Sequence, residues 1–215
     1  MSDGQNTGAT AAPSWRFLAG VFTISAGFIT LELLLTKLFA LMVWYHLSFV
    51  AISLAMLGFA SSGVYLILRP VPPEDRTARI PRVAFQFAIS ALVLLFYSCA
   101  APFLLEFLKS VIGKGASRVI VVTTLFGLSV VPFFLAGLFL SWALVTHAKE
   151  WAGRVYGSNL VGSAAGCWIV IILLKFLGCA GAIVTTAIAG FCATLLVDTE
   201  GMQRKKALVG ILACS

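Results

Sequence analysis

Residues 119–145 read VIVVTTLFGLSVVPFFLAGLFLSWALV, without a single charge. About 20 such residues are enough for a helix to cross the hydrocarbon core of a bilayer. In lipid every backbone N–H and C=O must be satisfied within the protein, and these runs lack the alternation of barrel strands. The sequence therefore predicts an all-α fold, a polytopic membrane helical bundle of about six transmembrane helices. The predicted spans cover residues 17–36, 46–68, 83–105, 119–145, 158–176 and 178–197.

The composition indicates the same class and argues against an ordinary soluble domain. Hydrophobic residues make up 60% of the 215 positions and charged residues 11%, with a mean hydropathy of +1.04. Soluble domains are roughly half apolar and a quarter charged. We expect a disordered N-terminal tail over 1–14, which lacks the basic start of a signal peptide. The bundle is predicted over 15–200, followed by a basic tail at 201–215 that is either an interfacial segment or, as we favour, the start of a truncated seventh helix.

The basic residues are distributed unequally between the two predicted sides of the membrane. The predicted topology places ten on one side: Arg16, Arg69, Arg76, Arg79, Arg82, Lys149, Arg154, Arg204, Lys205 and Lys206. Five remain for the other side: Lys37, Lys109, Lys114, Arg118 and Lys175. The positive-inside rule then predicts that both the N-terminus and the C-terminus are cytoplasmic. The lipid bilayer is the expected partner, in a bacterial inner (cytoplasmic) membrane, and the net charge of +7 requires no nucleic acid.

Small residues at helical spacing predict how the spans pack. Gly58 and Ser62 belong to a seam along span two, and Gly162 with Gly166 forms a Gly-x-x-x-Gly pair in span five. Helices in lipid associate where small residues allow their backbones to approach closely. We therefore expect a compact bundle with spans two, five and six near its centre.

Three polar residues within apolar sequence form the candidate polar membrane site: Glu32, Lys37 and Asn159. Ionisable groups inside a bilayer are costly and mark functional positions by default. Glu32 and Lys37 lie about 140° apart on a helix, so each is expected to face a different partner. For Glu32 and Lys37 the functional interpretation is an ion, proton or polyamine-binding site near the outer leaflet, and the alternative is an interfacial ion pair or a snorkelling Lys37. For Asn159 the alternative, which we favour, is a residue that caps the start of a helix.

The sequence contains no recognisable catalytic or cofactor site. His46 and His147 are predicted at opposite membrane faces, where they cannot ligate one haem iron. No cysteines form a Cys-x-x-Cys pair, and all five lie in apolar sequence, which favours small buried side chains over disulfides or metal ligands. They are Cys99, Cys167, Cys179, Cys192 and Cys214. We expect no cofactor and no metal.

Three stretches together resemble a known family. They are residues 27–37 (GFITLELLLTK), 45–63 (YHLSFVAISLAMLGFASSG) and 156–167 (YGSNLVGSAAGC), the last leading through 177–182 (LGCAGA). Together they look like the membrane-integral N-terminal region of multi-span spermidine-synthase-like proteins, which are related to polyamine aminopropyltransferases. In that family an acid and a base close the first helix, a Gly-rich second helix follows, and an Asp-Leu-x-Gly-x-x-x-Gly segment opens a later one.

The chain departs from that family in two ways. Asn159 stands where the family usually has Asp, which weakens a charge-based role there. The family's soluble aminopropyltransferase domain, with its Gly-rich loop and catalytic aspartates, is not among these 215 residues. The resemblance therefore implies polyamine metabolism for longer relatives without making this chain an enzyme.

Three functional hypotheses follow. The first is the integral membrane region of a spermidine-synthase-like protein, non-catalytic by itself, which anchors or serves a cytoplasmic transferase domain absent from this chain. The second is a transporter-like module for a small cation or polyamine, with Glu32 and Lys37 in its path. The third is a structural subunit that packs with other membrane subunits in a larger complex through its small-residue seams.

Overall fold

The computed structural model describes residues 13–42, 48–146, 151–198 and 208–212. Within these ranges the fold is all-α, as predicted, and contains six helices and no strand. Five of the helices are long and apolar enough to cross a membrane. They are α1 (Trp15–Met42), α2 (Ser48–Leu68), α3 (Pro73–Ile112), α4 (Lys114–Thr146) and α5 (Ala152–Val197). The short α6 covers residues 208–212, inside the predicted basic tail.

Helix α5 contains two of the six predicted spans and changes direction between them. Gly178 has φ 68° and ψ −174°, a conformation outside the helical region that only glycine adopts readily. It divides α5 into a first arm, residues 152–177, and a second arm, residues 179–197. The count of five candidate spans therefore differs from the predicted six because the structure joins the last two through this glycine.

The first arm runs parallel to α1. Near its start the Ser158 hydroxyl donates a 2.7 Å hydrogen bond to the Leu18 carbonyl. Further along, the Thr30 hydroxyl donates a 3.3 Å bond to the Gly166 carbonyl. The two helices thus run in the same direction along this contact.

The second arm runs back along α1 in the opposite direction. Cys179 Sγ lies 4.0 Å from the Leu34 carbonyl, near the far end of α1. A Cβ on Gly20, near the start of α1, would lie 3.6 Å from the carbonyl of Ala193. The two arms therefore form a helical hairpin with α1 between them, and the start of α1 and the end of α5 lie at the same end of the bundle.

Helix α1 is the centre of the bundle. Of its most apolar window 56% is buried, against 22% for α2 and 17% for α5. The prediction that spans two, five and six occupy the centre is therefore wrong for spans two and five, whereas span six, the second arm of α5, has nine buried residues from Ala182 to Val197. A seam of small residues allows one face of a helix to approach a neighbour closely, but it does not require neighbours on the other faces.

The remaining helices surround this centre. Helix α2 packs on α4 through its small residues, where a Cβ on Gly58 would lie 2.7 Å from Cβ of Phe133. Helix α3 packs on α4 and on the second arm of α5, where a Cβ on Gly190 would lie 2.9 Å from Cβ of Ala88. Helix α6 folds back onto the second arm, with Gly210 against the ring of Phe191.

Candidate functional site

Two of the three predicted polar residues, Glu32 and Asn159, line one cavity. This cavity, which we call the α2–α5 cleft, has a volume of about 350 Å³. It lies between α2 and the first arm of α5, with α1 and α4 behind it. Its lining consists of Phe28, Glu32, Ala55, Met56, Phe59, Ala60, Leu140, Asn159 and Ser163.

The spacing of the lining residues follows from helix geometry. Residues four apart share one helical face. Helix α1 contributes Phe28 with Glu32, and the first arm contributes Asn159 with Ser163. Helix α2 contributes two such pairs, whose members are adjacent in sequence from one pair to the other. Each helix therefore presents a single face to the cleft, and the contact of the three faces brings together residues that are distant in sequence.

The Glu32 carboxylate has no protein partner in the described part of the chain. The ion pairs found there join Arg79 with Asp75 and Lys109 with Glu106, at exposed positions away from the cleft. The described hydrogen bonds use only the backbone carbonyl of Glu32, which accepts a 2.9 Å bond from the Thr36 hydroxyl. Near the middle of a bilayer, an ionisable side chain costs about 3 kcal/mol on insertion scales. The cleft thus presents one acidic group that is not paired with any basic side chain of the described residues.

Asn159 is held in place by α1. The Ser25 hydroxyl lies 2.8 Å from Asn159 Oδ1 and also 2.8 Å from the Val21 carbonyl, so its one proton is shared between two acceptors. The hydrogen bonds of the described residues do not involve the Asn159 amide NH2 group. The favoured interpretation of Asn159 as a helix cap is wrong, because α5 begins at Ala152 and Asn159 lies two turns inside it.

Lys37 does not belong to this site. Its side chain is exposed, it does not line the cleft, and it makes no ion pair with Glu32 in the structure. The angular separation expected from the sequence places it on another face of α1. The structure thus brings together two of the three candidate residues and leaves the third at the surface.

The small residues singled out in the sequence hold the walls of the cleft in position. Gly162 lies against the backbone of Phe22, and a Cβ on Gly166 would lie 2.6 Å from the Ala26 carbonyl. Because Gly162 precedes Ser163, this contact fixes the wall that carries Ser163 and Asn159. On the opposite wall, Gly58 and Ser62 are buried and face α4.

The aromatic and hydroxyl groups of the cleft were not predicted from the sequence. Phe28 and Phe59 line it and pack edge to face, with ring centroids 5.9 Å apart. Ser163 adds a hydroxyl beside Asn159. The signal that could have found two of them is spacing, since Phe28 lies one turn before Glu32 and Ser163 lies one turn after Asn159.

A second cavity, of about 130 Å³, lies between α1 and the two arms of α5. The described residues that line it include four threonines and no ionisable group. Each threonine hydroxyl donates to a backbone carbonyl: Thr23 to Ala19, Thr30 to Gly166, Thr185 to Gly181 and Thr186 to Ala182. The polar groups of this cavity are therefore already satisfied, unlike the Glu32 carboxylate of the α2–α5 cleft.

Comparison with known proteins gives no assignment: no family model, no curated protein and no solved structure matches this chain. The chain is thus a multi-helix protein with membrane-span-like helices, and no family is identified. Within the described residues, no group of three or more His, Cys, Asp or Glu side chains is placed to hold a metal. His46, His147 and Cys214 lie outside those residues.

Proposed function

We propose that this protein is an integral membrane protein that binds an organic ammonium ion in the α2–α5 cleft, with Glu32 as the counter-charge. The observation that carries this proposal is the Glu32 carboxylate, which lines the cleft without a basic partner among the described residues. A buried or half-buried charge is tolerated when it is paired, and a cationic ligand supplies that pair. Glu32 is half-buried, as expected for a group that is shielded from lipid yet reachable by a ligand.

The rest of the lining suits an organic cation better than a metal ion. Phe28, Phe59 and Met56 supply apolar and polarisable surface. Aromatic rings attract organic cations through their quadrupole. Metal ions such as Mg²⁺ and Ca²⁺ prefer several oxygen ligands. The cleft offers one carboxylate, one amide and one hydroxyl, which favours a ligand with one charged head and an apolar body.

The resemblance to spermidine-synthase-like membrane regions is compatible with an amine ligand. All lining residues except Leu140 fall within the three stretches that carry the resemblance, residues 27–37, 45–63 and 156–167. In this proposal the chain is the non-catalytic membrane region of such a protein, and it serves a cytoplasmic transferase domain. Reading the gene beyond codon 215 tests this part, because an open reading frame without a transferase domain would contradict it.

The depth of Glu32 supports a transporter-like module as the second candidate. At 1.5 Å per residue Glu32 lies about 25 Å from Trp15 and about 15 Å from Met42, well inside the span. Substrate sites of membrane transporters commonly lie near the midplane. Uptake of radiolabelled spermidine into proteoliposomes separates the two candidates, since a membrane region that only binds an amine gives no accumulation.

We also propose that the end of the bundle holding the start of α1 and the end of α5 faces the cytoplasm. Described residues at that end include Arg16, Arg69, Arg79 and Arg154, and an excess of arginine and lysine marks the cytoplasmic side. The turn at Gly113 then faces the opposite compartment. Modification of a cysteine introduced at Gly115 by a membrane-impermeant maleimide tests this orientation, and labelling only after the cells are opened would contradict it.

The binding proposal is tested by replacing Glu32→Gln, which removes the charge and keeps the size of the side chain. The matched control is Glu106→Gln, because Glu106 is an exposed acid on α3 that pairs with Lys109 outside the cleft. The probes are spermidine and primary alkylammonium ions of four to twelve carbons, and binding is measured on protein in lipid nanodiscs. We expect Glu32→Gln to weaken binding at least tenfold, about 1.4 kcal/mol, and Glu106→Gln to leave it unchanged. Equal binding by the two variants, or no binding by the unmodified protein, would refute the proposal.

A further inference from the structure

The α2–α5 cleft opens sideways, between two helices that do not close against each other. Helix α2 packs on α4 and α1, whereas the first arm of α5 packs on α1. The edge of the cleft on α2 consists of residues that remain accessible: Met56 is 68% exposed, Phe59 is 41% exposed and Ala60 is exposed. The mouth of the cleft is therefore a gap in the lateral surface of the bundle.

This mouth lies at the depth of the hydrocarbon core. Met56 is about 12 Å from the start of α2 at Ser48 and about 18 Å from its end at Leu68. Helix α2 carries no charged residue over its whole length. A molecule that leaves the cleft sideways at this level thus meets lipid chains rather than water.

The charge of the cleft limits the charge of its ligand. Nine of the described residues line the cleft; Glu32 is the only acid among these nine, and none of the nine is basic. The other polar groups, Asn159 and Ser163, are neutral. Each charge that a ligand brings beyond the first would be left uncompensated in a region of low dielectric constant, where burial of an unpaired charge costs several kcal/mol. The cleft therefore matches a single positive charge.

We infer that the ligand is a membrane amphiphile, a single primary ammonium group on an alkyl chain, which enters the cleft from the bilayer between α2 and the first arm of α5. This inference rests on the proposed function and narrows its ligand class. The ammonium head lies against the Glu32 carboxylate, at the floor formed by α1. The alkyl chain lies along Phe28, Phe59 and Met56 and reaches lipid through the mouth.

The first test compares probes of one head group and different chain length. Dodecylammonium, butylammonium and spermidine are each titrated onto the protein in nanodiscs, and partition into protein-free nanodiscs is subtracted. We expect the Glu32-dependent part of binding to be at least tenfold tighter for dodecylammonium than for butylammonium, because only the longer chain fills the cleft. We expect spermidine to bind more weakly than dodecylammonium, because its additional charges find no acid.

The second test narrows the mouth. Ala60→Trp places a large side chain at the exposed edge on α2, and Ala60→Leu does so with a smaller one. The matched control is Ala164→Trp, at an exposed position of the first arm that does not line the cleft. We expect Ala60→Trp to slow dodecylammonium association at least fivefold, Ala60→Leu to slow it less, and Ala164→Trp to leave it unchanged. Thermal unfolding of each variant without ligand establishes that it is folded.

The outcomes separate this inference from the proposed function. Lateral entry of an amphiphile is overturned, and amine binding stands, if butylammonium or spermidine binds as tightly as dodecylammonium in a Glu32-dependent way. The same conclusion follows if dodecylammonium associates with both Ala60 variants at the rate measured for the unmodified protein. If no probe shows Glu32-dependent binding, the proposed function itself is overturned.

Discussion

The two arms of α5 differ in burial although both are apolar and both contact α1. The second arm contributes nine buried residues, from Ala182 to Val197, because α1 and α3 cover it on two sides. The first arm is longer but contributes only four: Val155, Gly162, Gly166 and Val170. Its remaining faces carry large exposed side chains such as Trp168, which is 74% exposed.

This difference shows what decides burial within a membrane. Lipid tails are as apolar as a leucine side chain, so an exposed apolar residue incurs no penalty there, and packing depends on shape. The second arm is enclosed by neighbours on two sides. The first arm is held by one glycine-lined face, and its open side forms a wall of the α2–α5 cleft. The arm with the least burial is therefore the one that carries Asn159 and Ser163.

The largest expected effect comes from removing a buried ring of the second arm. Phe191 is fully buried and packs with Phe85, at a centroid distance of 5.5 Å, and against Gly210 of α6. We expect Phe191→Ala to lower the free energy of unfolding by about 3 kcal/mol, as large core truncations do. Trp168→Ala on the first arm should change it by less than about 0.5 kcal/mol. Equilibrium unfolding in mixed lipid–detergent micelles measures both changes, and equal losses of stability would contradict the difference in burial between the arms.

An intermediate effect is expected where the first arm meets α1. Gly162 faces the backbone of Phe22, which has no flexible end to move aside, so a methyl group there must separate the helices. We expect Gly162→Ala to cost about 2 kcal/mol, within the range found for overpacking. It should also weaken amine binding, because Asn159 and Ser163 move with the arm.

The control for Gly162→Ala is Gly157→Ala, on the same arm, where a Cβ would meet no atom within 4 Å. Alanine has a higher helix propensity than glycine, so this variant should retain its stability or gain slightly. If Gly162→Ala and Gly157→Ala change the free energy of unfolding equally, close backbone approach does not hold the first arm against α1.

The smallest effect is expected at the junction of the arms. Gly178 has a positive φ of 68° in a conformation that residues with a side chain rarely adopt. We expect Gly178→Ala to lower the free energy of unfolding by about 1.5 kcal/mol, within the 1–3 kcal/mol typical of such backbone strain. Gly127→Ala in α4 is the reference, since Gly127 lies inside a helix with open space around it. A stable Gly178→Ala variant would show that the hairpin turn tolerates another backbone conformation.

Much of the fold could be predicted from the sequence, with errors where packing matters. The turn expected between residues 176 and 178 coincides with Gly178, because a break in a long apolar run is a local signal. Spans two and five were wrongly predicted at the centre of the bundle, because their seams indicate close contact on one face only. The predicted start of span five at 158 led to the cap interpretation of Asn159, which failed because α5 begins six residues earlier.

The candidate site was only partly predictable. Glu32 and Asn159 stood out as polar residues in apolar sequence. Whether these two residues line the same cleft depends on how α1 and the first arm are rotated about their axes. Hydropathy carries no information about that rotation. The Ser25–Asn159 contact joins residues 134 positions apart. Lys37, five residues from Glu32, faces elsewhere for the same geometric reason.

Hydropathy was enough to predict apolar helices suited to a bilayer, because the free energy of transfer into lipid is summed over about 20 consecutive residues and does not depend on their neighbours in the fold. By contrast, the position of α1 between the two arms of α5, and of the Glu32 carboxylate in a cleft where no described residue pairs with it, follows from how the helices pack. Such arrangements depend on which helical faces meet, and that is settled by shape complementarity between segments far apart in the chain.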